Sequence, residues 1–109
     1  MAYDEALAER LRKFFARRSN VTEKKMFGAL AFMLSGNMCC GVIDDTFMAR
    51  VGRDRYDQAL RRSHARQMDF TGRPMRGFVY VAAKGIATDA QLESWVDLCE
   101  GFVETLPAK

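Results

Sequence analysis

Tyr3, Leu7, Leu11, Phe14 and Phe15 recur at spacings of three and four, with Glu9, Arg10, Arg12, Lys13 and Arg17 between them. That period predicts an amphipathic helix over roughly Tyr3 to Arg18, ended by the turn-favouring pair Ser19-Asn20. From Lys24 to Val51 the period changes. Three apolar runs, Met26–Leu34, Met38–Ile43 and Phe47–Val51, are separated by Ser35-Gly36-Asn37 and Asp44-Asp45. Both separators are short and tolerate a positive φ, so the stretch reads as a three-stranded antiparallel meander. Ala29–Leu34 is apolar at every position, which predicts a strand that is central or covered on both faces.

Gly52 ends the meander. Arg53–Arg62 then carries Tyr56, Ala59 and Leu60 on one side and predicts a short second helix. Gln67–Phe70 and Phe78–Ala82 read as two further strands around the turn-rich Thr71-Gly72-Arg73-Pro74. The last helix is signalled most clearly. Thr88 and Gln91 stand at capping-box spacing, Asp89 sits at the positive end of the dipole, and Pro107 is expected to stop the helix. Leu92, Trp95, Val96, Cys99, Phe102, Val103 and Leu106 form its apolar face. The order α-β(3)-α-β(2)-α, with hairpins in place of βαβ alternation, predicts an α+β domain. It would hold a mostly antiparallel five-stranded sheet with helices packed on it. Phe14, Phe27, Phe32, Val79, Trp95 and Phe102 are its expected core.

A chain of 109 residues with 49% hydrophobic content fits one domain, here taken as 1–109. The apolar run Ala29–Leu34 is far short of the ~20 residues that span a bilayer. Charges at Asp4, Glu5, Glu9, Arg10 and Arg12 interrupt any secretory h-region, so a cytoplasmic location without membrane attachment is expected. Cys39, Cys40 and Cys99 are odd in number and include an adjacent pair, which argues for reduced thiols over a disulfide framework. On a regular strand, Cys39 and Cys40 would face opposite sides of the sheet.

Candidate chemistry is sparse. A reactive thiolate needs a base or helix N-terminus, and a zinc site needs about four ligands; the sequence offers one histidine, His64, and no C-x-x-C spacing. Structural packing is therefore the expected role of all three cysteines. His64 has no motif-spaced nucleophile or carboxylate, and Asp44-Asp45 reads as a turn. The glycines match no phosphate-binding fingerprint and are expected at turns and strand ends. The expectation is a protein with no catalytic residues, metal or cofactor.

Charge changes the picture more. The net charge is only +3, but Arg10–Lys25 carries seven Lys/Arg against Glu23, a net +6. Arg50–Arg76 carries eight Arg against Asp54, Asp57 and Asp69, a net +5. Beyond Gly85, five acidic residues oppose only Lys109, so a dipolar molecule is implied. Lys24, Lys25, Arg53, Arg55, Arg61, Arg62, Arg66, Arg73 and Arg76, with Met75, are the candidate partner or anion contacts. The alternatives are a solvated mixed-charge face, a basic docking surface for an acidic protein, and direct nucleic-acid binding.

Four blocks carry a family resemblance. Thr22-Glu23-Lys24-Lys25-Met26-Phe27-Gly28, Gly36–Val42, Ala49-Arg50-Val51-Gly52 and Met68–Val81 together resemble the N-terminal domain family of TfoX, also called Sxy, regulators of bacterial competence. The resemblance runs over nearly the whole chain and implies the same α-β(3)-α-β(2)-α order. Competence regulators of this kind carry a second, C-terminal domain, so the resemblance speaks to fold more directly than to role. The expected function is a non-enzymatic regulatory or protein-interaction module, acting on a protein partner such as part of the transcription machinery. A nucleic-acid-binding module using the arginines is the first rival, and a thiol-dependent enzyme through Cys39 or Cys40 the second. A homodimer is a further expectation, formed if the uncharged run Val79-Tyr80-Val81-Ala82 lies at a sheet edge.

Overall fold

A computed structural model of the chain describes residues 3–26, 28–68 and 75–108, with the backbone alone at Met26. The elements are α1 (Glu5–Phe15), β1 (Val21–Met26), β2 (Ala29–Leu34), β3 (Asn37–Ile43), β4 (Thr46–Arg50), α2 (Arg53–Leu60), β5 (Ala65–Gln67), β6 (Phe78–Val81), a 3-10 turn (Ala83–Ile86) and α3 (Asp89–Val103). The strands form one antiparallel sheet in the order β1-β2-β3-β4-β6-β5. The expected α+β class stands, with six strands among the described residues where the pattern indicated five. The added strand is β1, whose Thr22-Glu23-Lys24-Lys25 are all exposed and supply no apolar signal. It pairs along the whole of β2, which makes β2 an inner strand as expected.

The helix ends follow their local chemistry. Asp4 caps α1, its carboxylate accepting from the amides of Ala6 (2.8 Å) and Leu7 (3.3 Å). The capping box at Thr88 and Gln91 forms in both directions, at 3.1 and 3.0 Å. Helix α3 ends at Val103, several residues before Pro107, because Thr105 and Leu106 turn back on the carbonyls of Phe102 and Val103. Ser35 (φ 51°), Gly36 (φ 84°) and Asp44 (φ 51°) take the left-handed conformations that the two hairpins require.

All three helices contribute to one core on one face of the sheet. Leu11 and Phe15 of α1, Tyr56 of α2 and Trp95 of α3 meet Phe32, Val42, Phe47 and Val79 there. Trp95, Phe32 and Val79 are fully buried as expected. Phe14 is only half-buried. The neighbouring Phe15 takes its place, stacked on Phe32 with centroids 5.4 Å apart. Phe102 is half-buried as well, and Phe27 lies outside the described residues. A smaller cluster of Ala29, Met48, Met68 and Tyr80 occupies the other face, with Met75 and Phe78 packed against it.

Three expectations about strands are corrected. The strand expected over Gln67–Phe70 is β5 at Ala65–Gln67, with Met68 beyond its end and Asp69 and Phe70 outside the described residues. Val79-Tyr80-Val81 is not an edge, since β6 runs between β4 and β5. The edges are β1, which carries Glu23, Lys24 and Lys25, and the three-residue β5, so short length and charge blunt both. Cys39 and Cys40 do not face opposite sides either. Phe32 pairs with Cys40 and Met33 with Met38, which leaves Cys39 as the extra residue of a β-bulge. Both cysteines thereby join the helix-side core, where Cys99 of α3 meets them. Gly41 also departs from the expected turn position: it sits inside β3, where the Met48 side chain lies over it.

Candidate anion-binding cleft

The end of β4, the start of α2 and the segment leading into β6 converge through glycine. Gly52 (φ 83°) and Gly77 (φ 94°) both adopt conformations that side chains rarely take. The amides of Val51 and Gly52 donate to the Gly77 carbonyl at 2.8 and 3.1 Å, which binds the two segments together. A Cβ on Gly52 would fall 2.4 Å from the Phe102 ring. The close approach of α3 to this turn therefore depends on the absence of a side chain. Gly101, on α3 itself, leaves room beside Arg55, where an added Cβ would lie 3.9 Å from a guanidinium nitrogen.

These contacts frame a cleft of about 500 Å³. Arg50, Arg53, Arg55 and Arg76 line it, with Phe78, Phe102 and Thr105 along its wall. Asp54 is the one carboxylate that lines it among the described residues. Arg50 is fixed in place. Its guanidinium donates to the Met38 carbonyl at 3.2 Å and lies 5.5 Å from the Phe78 centroid and 5.4 Å from that of Phe102. Arg53, Arg55 and Arg76 are exposed, and Arg76 passes over the ring of Tyr56 at 5.9 Å. Gly52 gives α2 no capping side chain, so the positive end of that helix adds to the same field.

Internal counter-charge separates these four arginines from those around α1. Among the described residues, every arginine ion pair belongs to Arg10, Arg12, Arg17 or Arg18. Arg12 bridges Glu9 and Glu23, which raises its own pKa and holds the Glu23 carboxyl below its ordinary range. Arg18 holds the buried Glu100 at 2.7 Å and Glu104 at 3.0 Å. Arg10 reaches Asp89 at 3.5 Å. Arg10, Arg17 and Arg18 thus meet Asp89, Glu100 and Glu104 across the fold, which offsets part of the basic first segment against the acidic last helix.

The structure brings together Arg53, Arg55 and Arg76 from the sequence-derived contact set and places the other described members elsewhere. Lys24 and Lys25 lie on the outer strand β1, with β2 and β3 between them and β4. Arg61 is at the far end of α2. Arg62 is spread over the Trp95 ring at 3.9 Å and donates to the Ser94 hydroxyl at 2.8 Å. Its burial there lowers its pKa, which marks a packing role. Arg66 covers Tyr80 at 5.0 Å, and Met75 packs on the second apolar cluster. Arg73 lies outside the described residues. Arg50 was missed, because a strand-terminal arginine after Phe47-Met48-Ala49 carries no signal beyond its nearness to Gly52.

The cysteines show the opposite electrostatics. Burial pushes the Cys40 and Cys99 thiols well above their ordinary range, and mutual proximity with Cys39 and Glu100 adds to the effect. His64 is exposed on a left-handed turn, φ 68°.

A model of the TfoX N-terminal domain matches residues 13–102. The chain belongs to the TfoX N-terminal domain family. The matched span includes every strand, all of α2 and most of α3. It takes in the arginine-bearing walls of the cleft and leaves out Thr105 at its rim. Searches of the curated proteins and of the solved structures find no match. No helix among the described residues is long and apolar enough to cross a membrane.

Proposed function

We propose that this TfoX N-terminal domain is a non-enzymatic regulatory module that docks an acidic segment of a protein partner in the arginine cleft. The observation that carries this reading is the uncompensated charge of Arg50, Arg53, Arg55 and Arg76 in one concavity. Guanidinium groups without an internal ion pair form charge-assisted hydrogen bonds to an incoming carboxylate without first breaking one. The aromatic wall and the glycine floor give the concavity a defined shape, which separates it from a diffuse solvated face. The family's link to competence regulators directs the proposal to the transcription machinery as the place to seek that partner.

Capture of partners from the protein's own cells tests this, with wild type compared against R53Q/R55Q/R76Q. A partner retained by wild type and lost by the triple variant supports the reading. Equal retention by both overturns it. Capture of duplex nucleic acid alone, with affinity falling steeply in salt, replaces it with the nucleic-acid rival.

A further inference from the structure

Resting on that docking reading, we infer that the cleft is built for a phosphate monoester, so that the docked segment is a phosphorylated side chain of the partner. The arginine cluster and the cavity carry this inference. Among the described residues, four guanidinium groups and one carboxylate, Asp54, leave a net +3 in the concavity, more than one carboxylate can balance. The donors also approach from different directions. Arg50 stands at the end of β4, Arg53 and Arg55 in the first turn of α2, and Arg76 in the segment entering β6. A carboxylate offers its lone pairs in a single plane and suits one bidentate guanidinium. A phosphate monoester carries close to two charges and three terminal oxygens in a tetrahedron, which donors on several sides can share. Recognition of phosphorylated segments by clustered arginines follows from that match.

The cleft also fits a side chain better than a nucleobase. The ring faces that could stack a base, Phe78 and Phe102, both lie against the Arg50 guanidinium. Arg50, half-buried and held by the Met38 carbonyl, is pre-set at the back of the site. The exposed Arg53, Arg55 and Arg76 close around the anion from the rim. At about 500 Å³ the space admits a phosphorylated serine or threonine together with its neighbouring backbone.

The ligand's own titration provides the test. A peptide with one phosphoserine among neutral residues is titrated into the wild-type protein by calorimetry at constant ionic strength. The same peptide with glutamate or serine at that position serves as comparator. The second phosphate ionisation lies near 6, within the interval tested. Affinity for the phosphopeptide is therefore expected to fall about tenfold from pH 7.5 to pH 5, the ratio of dianion present. The glutamate peptide is expected to bind at least tenfold more weakly at pH 7.5, with little change over the interval. Arg53→Gln and Arg76→Gln, both on exposed residues, are each expected to weaken phosphopeptide binding severalfold with the melting temperature unchanged.

Glutamate and phosphoserine peptides binding equally, with no pH dependence, overturns the phosphate inference and leaves the acidic-docking reading standing. Neither peptide binding overturns both. Inorganic phosphate binding as tightly as the phosphopeptide overturns the protein source and points to a small phosphorylated ligand.

Discussion

The arginines around α1 and those of the cleft are equally conspicuous along the chain and differ in their internal pairing. Those around α1 are tied to carboxylates from α1 itself, β1 and α3. Those of the cleft come from β4, α2 and the entry to β6, where Asp54 is the only carboxylate lining the space among the described residues. Local charge counts of +6 and +5 do not distinguish the two sets. Topology does, because it lays the acidic α3 against the basic α1 and leaves the second basic segment without a counterpart. A basic stretch marks a binding surface only once its intramolecular partners are known.

The contrast is most exposed to test at Arg18. Arg18→Ala leaves the buried Glu100 carboxylate with only Arg17, at 3.6 Å, and is expected to cost about 2–4 kcal/mol in a urea melt. A loss below about 0.5 kcal/mol would place this pair among ordinary surface bridges and remove half of the contrast. Next in size is the thiol cluster beneath α3. Cys40→Ser and Cys99→Ser each bury a hydroxyl among apolar neighbours and are expected to cost about 1–3 kcal/mol. Thiol reagents should label the native protein slowly at neutral pH, because burial disfavours both thiolates. Rapid labelling would revive the thiol-enzyme rival.

Much of this architecture is legible in the sequence. The hairpins at Ser35-Gly36 and Asp44, the capping box at Thr88 and the buried Trp95 follow from local rules, and the structure reproduces them. Strand β1 escapes because an edge strand held by backbone pairing needs no apolar period, and Thr22–Lys25 has none. The bulge at Cys39 escapes because Met38-Cys39-Cys40 reads as an unbroken apolar run, and only its register against Phe32 and Met33 reveals the extra residue. The cleft is half legible. Arg53, Arg55 and Arg76 can be named from composition, whereas their separation from Lys24 and Lys25 is decided by sheet order, and Arg50 by the Gly52–Gly77 contact.

Smaller effects sharpen the same contrast. R53Q/R55Q/R76Q removes three exposed charges with no ion-pair partner among the described residues, so unfolding stability should stay within about 0.5 kcal/mol of wild type. A larger loss would mean that these arginines hold the fold together. On the paired side, the Arg12 guanidinium keeps the Glu23 carboxyl ionised below its usual range. A depressed folded pKa contributes stability above the ordinary carboxylate value of about 4.3, and the contribution disappears as pH falls through the folded value. Glu23→Gln should therefore cost a few tenths of a kcal/mol near pH 7, as expected for an exposed pair, and progressively less as the pH is lowered into the acid range. A cost independent of pH would contradict the ion-pair origin.

The cleft arginines have no ion-pair partner among the described residues, and those around α1 do. A glutamate-rich peptide titrated in parallel into wild type, R53Q/R55Q/R76Q and R10Q/R12Q/R17Q tests this directly, because each triple removes the same charge. Binding is expected to be lost in the cleft triple and retained, within about twofold, in the α1 triple. Equal weakening in both would mean that net charge alone governs the association, and would contradict the division between the two sets.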